Sequence, residues 1–243
     1  RDVAVTGVQT CALPIYSGLR NGSYASDTAL FNTYKRATAA EATAPSTTTT
    51  GLLSNNSLIL NGVAIGQALS TDDTSSDTTA ASSTREASAI AIAAAINRKT
   101  DLTGVTASAS PNVIRGEGFT AGTTADIFLN GVTFTANAET RNGLIDSYNS
   151  VSDRTGVVAS AWGDGVELRA VDGRNISIGS VSNANIGLTG ITIGSAAASA
   201  NATTFYSQVT LQSDNKFIVK SGNEGIANLE LLGLRQGTFG GAD

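Results

Sequence analysis

The chain has 243 residues, a length that allows one or two domains or a string of small repeats. Charged residues make up 14% and aromatic residues 5%, and the formal net charge is −5 with the Lys and Arg residues scattered. This balance argues against a nucleic-acid partner and against an anionic membrane surface. The sequence also contains no run close to the ~20 apolar residues that a membrane-spanning helix needs.

The residue inventory excludes several classes of catalytic site. There is no histidine, and the single cysteine is Cys11, so histidine-based triads, ordinary zinc sites and disulfides are unavailable beyond that point. Cysteine usage is compatible with the cytosol or with bacterial secretion. We therefore expect no enzyme activity, cofactor or metal, and we assign no catalytic, cofactor-binding or metal-ligating residues.

Residues 1–15 are expected to be an artefactual leader, because residues 5–15 resemble a translated sequencing adapter and the chain contains no Met. In residues 16–50, Ser26 precedes Leu30, Tyr34 and Ala37 at helical spacing, which predicts a short helix with Ser26 as its cap. A Pro/Ser/Thr tract at 43–50 then predicts a linker, because it has little apolar area to bury.

The first predicted repeat module covers residues 51–125. Asn61-Gly62 lies between short apolar runs, the strongest local signal for a type I′ hairpin. Residues 70–83 are almost wholly Ser, Thr, Asp and Ala, which predicts a mobile surface loop. Ser83 and Glu86 have the spacing of a capping box, which predicts a helix over residues 85–97.

The apolar residues of this helix share one face: Ala89, Ile92, Ala93 and Ile96. After Gly104, alternation of apolar with Thr and Ser residues predicts a half-buried strand ending at Ala109. The module is therefore a hairpin, a helix and a strand.

A second module, residues 126–182, repeats this order without the polar loop. It begins with the turn Asn130-Gly131, and a helix over 139–149 is expected to direct Leu144, Ile145 and Tyr148 inward. After Thr155-Gly156, turns at 163–165 and 172–175 separate runs that predict successive antiparallel strands.

A partial third module is expected over residues 183–243. Residues 209–212 and 217–219 are apolar runs on either side of a polar turn, which predicts a β-hairpin. The internal repeat sets the architecture, so we predict an α+β, predominantly β fold built as an array of small hairpin-helix-strand modules.

The repeated order of these motifs resembles a known family. Two copies of Asn-Gly-Val, a helix ending in Ile-Asn or Tyr-Asn, and Thr-Gly-Val-x-Ala-Ser resemble the flagellin hook IN-type repeats of the variable outer region of bacterial flagellins. The apolar runs from residue 209 to residue 238 are similar to the segment by which flagellins leave that region. The resemblance covers residues 57–238, and its motif also occurs in hook-associated and filament-cap proteins.

This resemblance implies a secreted, extracellular structural subunit of the flagellar filament, active in motility. Flagellin subunits associate through long terminal helices, which are missing here because nothing sustains apolar heptads. Other flagellin subunits are the implied partners, and glycans on exposed Ser or Thr are a further expectation. The alternatives are a hook-associated or filament-cap protein, and an adhesin-like module that binds surface glycans.

Several short motifs admit both a chemical and a structural interpretation. Asp72, Asp73 and Asp77 are oxygen ligands that suit a hard cation, but a calcium loop also needs a turn Gly and a closing Glu, so a solvated acidic loop is favoured. Residues 213–216 contain both Ser-x-x-Lys and Ser-Asp-Asn, yet their overlap in one turn favours a simple turn. Gly163-Asp164-Gly165 lacks the context of a phosphate loop.

Two further features concern the surface. Trp162, the only tryptophan, is either a sugar-stacking platform or, as we favour, core or rim packing. Asn-x-Ser/Thr sequons arise by chance in such a composition and begin at four residues: Asn21, Asn55, Asn175 and Asn201.

Overall fold

The structure is a computed structural model that describes residues 34–35, 52–180, 189–191, 193 and 202–239. The strands are β1 Tyr34–Lys35, β2 Leu58–Leu60, β3 Val63–Ala64, β4 Thr106–Ala109, β5 Asn112–Arg115, β6 Thr124–Leu129, β7 Val132–Asn137, β8 Val158–Trp162, β9 Gly165–Ala170, β10 Ile176–Ser180, β11 Thr203–Phe205, β12 Val209–Gln212, β13 Phe217–Ser221 and β14 Gly237–Phe239. The helices are α1 Ala89–Asn97, α2 Thr100–Thr103, α3 Arg141–Asn149, α4 Ser152–Thr155 and α5 Gly225–Leu231, with a 3-10 helix at Ser70–Asp72.

These strands form four antiparallel sheets across the described ranges. Their orders are β1-β12-β4, β14-β13-β2-β3, β11-β10-β6-β7 and β5-β9-β8. Most regular structure is therefore strand, and the helices are short. This confirms the predicted α+β, predominantly β class.

The sheets enclose two main hydrophobic cores, which define two units. Unit 1 consists of residues 52–109 and 209–239, and its fully buried side chains include Leu58, Leu60, Ile92, Ile96, Phe217 and Val219. Unit 2 consists of the described residues between 112 and 205, and its core includes Ile127, Leu129, Leu144, Tyr148, Leu168 and Ile178. In unit 2, helix α3 contacts β7 and β8, which belong to two different sheets. In unit 1, helix α1 contacts β4 and β12 of one sheet, and its buried side chains share the core with those of β2 and β13.

Unit 2 is inserted into unit 1 between β4 and β12. Strand β12 pairs with β4, placing Val209 opposite Ala109, and β13 pairs with β2, placing Val219 opposite Leu60. Unit 2 contains the equivalent pairings, with β9 beside β8 and β10 beside β6. No other unit is inserted between these strands. Residues 183–243 were expected to form a third module. Instead, β12, β13 and β14 complete the sheets and core of unit 1, and β11 joins the unit 2 sheet beside β10.

The hairpin predicted for the apolar runs at 209–212 and 217–219 does not form. Strands β12 and β13 lie in different sheets, as do β9 and β10 in unit 2. Each connecting turn carries the chain from one sheet to the other, so that both strands bury side chains in the core between them. Two strands of one hairpin would have supplied a single layer of that core.

The two Asn-Gly turns are confirmed as equivalent turns in equivalent units. Backbone φ is 50° at Asn61 and 83° at Gly62, against 42° at Asn130 and 82° at Gly131. A type I′ turn requires positive φ at both central residues, which Asn and Gly tolerate best. The turns join β2 to β3 and β6 to β7.

The start of the first helix differs from the prediction. Helix α1 begins at Ala89, and its N-cap is Ser88, whose Oγ accepts a hydrogen bond from the Ala91 N–H at 3.1 Å. In unit 2, Thr140 caps α3 in the same way. Ser83, predicted to be the cap, instead donates its hydroxyl to the Asp77 carbonyl at 2.6 Å. The capping-box spacing was therefore misleading.

The predicted helix after Ser26 is wrong at the two positions that the structure describes there. Tyr34 and Lys35 form strand β1, which pairs antiparallel with Leu211 and Thr210 of β12. Pairing with a strand far away in the sequence overrides the local helical spacing. The leader over 1–15 and the linker over 43–50 lie outside the described residues.

Tyr148 makes alkaline pH a test of the unit 2 core. Its ring is fully buried, and its hydroxyl donates to the Thr189 carbonyl at 2.7 Å. Burial raises the pKa of Tyr148 well above the value of about 10 for the unfolded chain. Its contribution to stability is therefore complete below pH ~10 and lost as the pH rises further. We expect tyrosinate absorbance from Tyr148 only as unit 2 unfolds.

The variant Tyr148→Phe provides the control. It removes the hydrogen bond and is expected to lower the free energy of unfolding by about 1 kcal/mol at neutral pH. Urea denaturation measures this loss. The contribution of Tyr148 is the difference in tyrosinate absorbance between the wild type and the Phe variant. If this difference appeared at the ordinary tyrosine pKa while the wild type was still folded, it would contradict the buried state of Tyr148.

Candidate functional site

The feature that distinguishes unit 1 from unit 2 is the polar segment over residues 70–88, here named the junction loop. Residues 70–83 of this segment were predicted to be a mobile surface loop, and their burial contradicts the predicted surface position. Several of its residues are almost fully buried: Asp73, Ser76, Ala80, Ser82 and Ser83. The loop lies between the units, so polar composition here reflects a hydrogen-bonded interface rather than solvation.

Ser82 lies at the centre of the contact with the end of unit 2. Its Oγ is 2.6 Å from both the Ala202 carbonyl and the Thr204 hydroxyl. Its own carbonyl accepts the Tyr206 hydroxyl at 2.6 Å, and Tyr206 Oη also accepts from the Thr84 N–H at 3.2 Å. These groups are buried together, so each is satisfied by a partner from the opposite side of the junction.

The loop also covers the turn before β10. The Asn175 N–H donates to Ser76 Oγ at 2.9 Å, and Asn175 Nδ2 donates to Ser83 Oγ at 3.2 Å and to the Thr84 carbonyl at 3.1 Å. A small apolar contact between Ala80, Phe128 and Ala202 lies beside these bonds. The loop therefore fixes the position of one unit against the other.

The Asn of each type I′ turn ties together three segments of its unit. Asn61 Nδ2 donates to the Thr103 carbonyl at 2.7 Å, and its Oδ1 accepts from the Ile218 N–H at 2.8 Å. Asn130 Nδ2 donates to the Thr155 carbonyl at 3.0 Å, and its Oδ1 accepts from the Ser177 N–H at 2.7 Å. The Asn-Gly sequence predicted each turn. The side-chain hydrogen bonds could not be predicted from the sequence, because their partners are far away along the chain.

A second pair of asparagines occurs at the helix ends. Asn97 bonds both the N–H and the carbonyl of Ala107, at 2.7 and 2.8 Å. Asn149 does the same with Ala159, at 2.8 and 3.0 Å. A side-chain amide that offers one donor and one acceptor thus pairs with a strand residue as another strand would. The Asn that ends each repeated helix is therefore structural.

The glycines of the two turns give a matched test of the junction loop. A Cβ at Gly131 would lie 2.7 Å from Asp77 Oδ1, whereas a Cβ at Gly62 would meet nothing within 4 Å. Backbone φ is the same at both, so Gly62→Ala is expected to cost about 1–2 kcal/mol from backbone conformation alone. Gly131→Ala is expected to cost about 2–4 kcal/mol, because Asp77 must also move. Urea denaturation measures both.

The double variant Gly131→Ala/Asp77→Ala provides the control. If the extra cost arises from Asp77, the two substitutions will be non-additive, and the alanine at position 131 will cost about as much as that at position 62. Equal costs for the two single glycine variants would show that the junction loop does not press on the second turn.

The acidic residues of the junction loop have separate surroundings. Asp72 forms an ion pair with Arg98 at 2.8 Å. Asp77 accepts from the Thr79 N–H at 3.0 Å and from its hydroxyl at 2.8 Å. Asp73 is fully buried rather than solvated. Among the described residues, no group of three or more Asp, Glu, His or Cys side chains is placed to hold a metal.

Trp162 lies at the rim of unit 2 and not in its core. Its side chain is 47% exposed at the end of β8, and the Arg115 guanidinium lies 3.8 Å from the ring centroid. Arg115 also pairs with Glu167 at 2.8 Å. Strand pairing places β8, β9 and β5 side by side, so the three side chains form one small surface.

The remaining short motifs lie in connecting segments. Residues 213–216 form the bend between β12 and β13, and Gly163-Asp164 forms the turn between β8 and β9. Of the sequons, Asn55 is exposed and Asn175 is fully buried, so the folded unit does not offer Asn175 for glycosylation. Asn21 and Asn201 lie outside the described residues.

Comparisons with known proteins give no family for this chain. No protein-family model matches it, and a search of the curated proteins finds no match. Within the described ranges, no helix has the length and apolar character needed to cross a membrane.

Proposed function

We propose that this chain is the outward-facing region of a flagellar filament subunit and has a structural, non-catalytic role in motility. The observation that carries the proposal is the repeated plan. Each unit has an Asn-Gly turn that bonds the end of a short helix and the strand beside it, at Asn61 and at Asn130. These are the motifs on which the resemblance to flagellins rests.

The path of the chain supports the same proposal. Strand β1 pairs with β12 and strand β14 with β13, so the flanking segments both join unit 1. Unit 2 is reached only through unit 1. A region that projects from a filament and is attached to it at one end would be connected in this way. The partners in the proposal are other flagellin subunits, through terminal helices, and the location is the extracellular filament.

Immunogold electron microscopy of cells that carry the gene tests this function. Antibodies raised against the purified chain are expected to label filaments along their whole length. Labelling restricted to the filament tip or to the hook junction would instead identify a cap or hook-associated protein. Filaments without label, on cells that express the chain, would contradict the proposal.

Surface glycans are a separate part of the proposal. Exposed Thr and Ser residues are common on both units, for example Thr106 in unit 1 and Thr133 in unit 2. The mass of the chain isolated from native filaments is expected to exceed the mass calculated from its sequence. A measured mass equal to the bare chain would exclude O-linked glycosylation under those growth conditions.

An adhesin-like role is the second candidate, and the exposed Trp162 favours it. An indole ring beside Arg115 and Glu167 has the composition of a sugar-stacking surface. Trp162→Ala is then expected to abolish binding on a glycan array. Val171→Ala, at an apolar residue that is 68% exposed, is the matched control and should retain it. Absence of binding by the unaltered chain would eliminate this candidate.

A further inference from the structure

The junction loop covers the outer face of the β11-β10-β6-β7 sheet, which is the face turned away from the unit 2 core. Ser177 and Phe128 lie on this face, because side chains alternate along a strand and their neighbours in β10 and β6 belong to the core. Ser177 Oγ is 2.8 Å from the Thr204 hydroxyl, which is itself 2.6 Å from Ser82 Oγ of the loop. Phe128 packs against Ala80 of the loop. Ser177, Thr204 and Phe128 are therefore fully buried.

The equivalent face of unit 1 is open in the described ranges. Its sheet, β14-β13-β2-β3, has the same arrangement, with Ile218 opposite Thr238 as Ser177 is opposite Thr204. The turn Asn of each unit also accepts from the N–H of Ile218 or of Ser177. Ile218 is 39% exposed, Thr238 is exposed, and a Cβ at Gly62 would meet nothing within 4 Å. The same surface is therefore buried in one unit and open in the other.

The open face is cationic with an apolar centre. Lys216, Ile218 and Lys220 alternate with core residues of β13, so these three exposed side chains share the outer face. None of the ion pairs within the described ranges includes either lysine. A single exposed Ile is ordinary on a protein surface, but this Ile holds the position of a Ser that is buried at an interface. The open face therefore suits a partner that offers carboxylates around an apolar side chain.

Strand β14 forms the edge of the open face and holds the place that β11 holds in unit 2. Strand β11 ends at Phe205, and the next residue, Tyr206, donates its hydroxyl to the Ser82 carbonyl of the junction loop at 2.6 Å. The chain thus leaves unit 2 directly toward the structure that covers its outer face. Strand β14 ends at Phe239, which matches Phe205 in register. This equivalence favours a covering structure that is joined to unit 1 through Phe239 over a separate protein.

We propose that the open face of unit 1 docks on the filament-forming part of the same subunit, through an acidic segment that also offers an apolar side chain. Carboxylates of that segment pair with Lys216 and Lys220, and its apolar side chain packs on Ile218. The identity of this partner rests on the proposed function, in which a filament subunit carries unit 1. The docked face then fixes unit 1 against the filament as the junction loop fixes unit 2 against unit 1.

Cysteine labelling of isolated filaments tests whether the face is covered. Ile218→Cys, combined with Cys11→Ser, places a single thiol on the face. Labelling of this thiol by a maleimide is expected to be about tenfold slower in filaments than in the purified chain, because access then requires the docked surfaces to separate. Gln212→Cys in the same background is the matched control. It places the thiol at an exposed position of the other unit 1 sheet and should label at the same rate in both samples.

Zero-length crosslinking of unaltered filaments tests the chemistry of the partner. A carbodiimide joins a lysine amine directly to a carboxylate that lies against it. Lys216 or Lys220 is expected to crosslink to an Asp or Glu outside residues 34–239 of the same subunit. Such a product migrates as a monomer on a denaturing gel, and peptide mass spectrometry identifies the joined residues. Because no substitution is needed, this measurement decides the question even if the Ile218→Cys subunit does not assemble.

Three results would overturn the inference. Equal labelling of Ile218→Cys in filaments and in the purified chain would show that the face stays open, and would leave the proposed function intact. Crosslinks found only in dimer-sized products would place a second copy of the subunit on the face. Filaments in which antibodies detect no copy of the chain would remove the proposed function, and the docking partner with it.

Discussion

A chain truncated after Gln208 is expected to lose unit 1 and keep much of unit 2. The removed segment supplies seven buried core side chains to unit 1: Val209, Leu211, Phe217, Val219, Leu229, Leu232 and Leu234. At about 1.5–3 kcal/mol for each, their burial contributes about 10–20 kcal/mol, which exceeds the net stability of most domains. The remaining strands β2 and β4 would also lose their partners β13 and β12.

Hydrogen exchange followed by mass spectrometry resolves the two units. Amides of α1 and β2 should exchange as in an unfolded chain, whereas amides of β6 and β9 should retain protection. A chain of sequential modules would show the opposite, because the first module would be complete without residues 209–239. Protected amides over 58–65 and 89–97 in the truncated chain would therefore contradict the nested arrangement.

A matched excision tests the same topology from the other side. The Ser110 N–H donates to the Gln208 carbonyl at 2.8 Å, so the two crossings between the units lie side by side. Joining residue 110 to residue 208 through a short Gly linker removes unit 2 without stretching unit 1. This shortened chain is expected to keep protection in α1 and β13, although removal of the junction partners should lower its stability.

The local elements were predictable because their determinants are local. Asn61-Gly62 and Asn130-Gly131 impose positive φ wherever they occur, and the alternation from Val105 to Ala109 gives one buried face. The inward residues of α3 were likewise predicted, since Leu144 and Tyr148 are fully buried and Ile145 is partly buried against the same core. Repetition of these signals predicted two equivalent units.

The pairing between distant segments was not predictable in the same way. The run at 209–219 contains two strands and a turn, and nothing in it indicates whether the strands pair with each other or with β4 and β2. The prediction for the junction loop was wrong for a related reason. Its Ser and Asp residues have the composition of a solvated loop, and only the structure shows that Ala202, Thr204 and Asn175 face them. Long-range partners decided both cases.

The largest single-residue effect is expected at Asn130. Its side chain is only 7% exposed, and Nδ2 bonds the Thr155 and Asn175 carbonyls at 3.0 and 3.1 Å, while Oδ1 bonds the Ser177 N–H. Asn130→Ala leaves these buried groups without that partner and places Ala at positive φ. We expect a loss of about 3–5 kcal/mol in the free energy of unfolding of unit 2.

Asn61→Ala is the matched comparison in unit 1. Asn61 holds the equivalent position and makes the equivalent bonds to the Thr103 carbonyl and the Ile218 N–H, but its side chain is exposed, so water can replace it. Its loss is expected to cost about 1–2 kcal/mol. Trp162 fluorescence during urea denaturation reports on unit 2, and far-UV circular dichroism reports on the whole chain.

The variant Asn130→Gly separates backbone conformation from hydrogen bonding. Gly accepts the positive φ of this turn, so any loss that remains comes from the side-chain bonds. Asn130→Asp keeps the acceptor for the Ser177 N–H but turns a second oxygen toward two carbonyls, and should be at least as destabilising as Asn130→Ala. If Gly at position 130 restored wild-type stability, the turn would matter only through its φ angle. The repeated Asn would then be needed only for the turn, and its hydrogen bonds to the helix end and to the strand would contribute little.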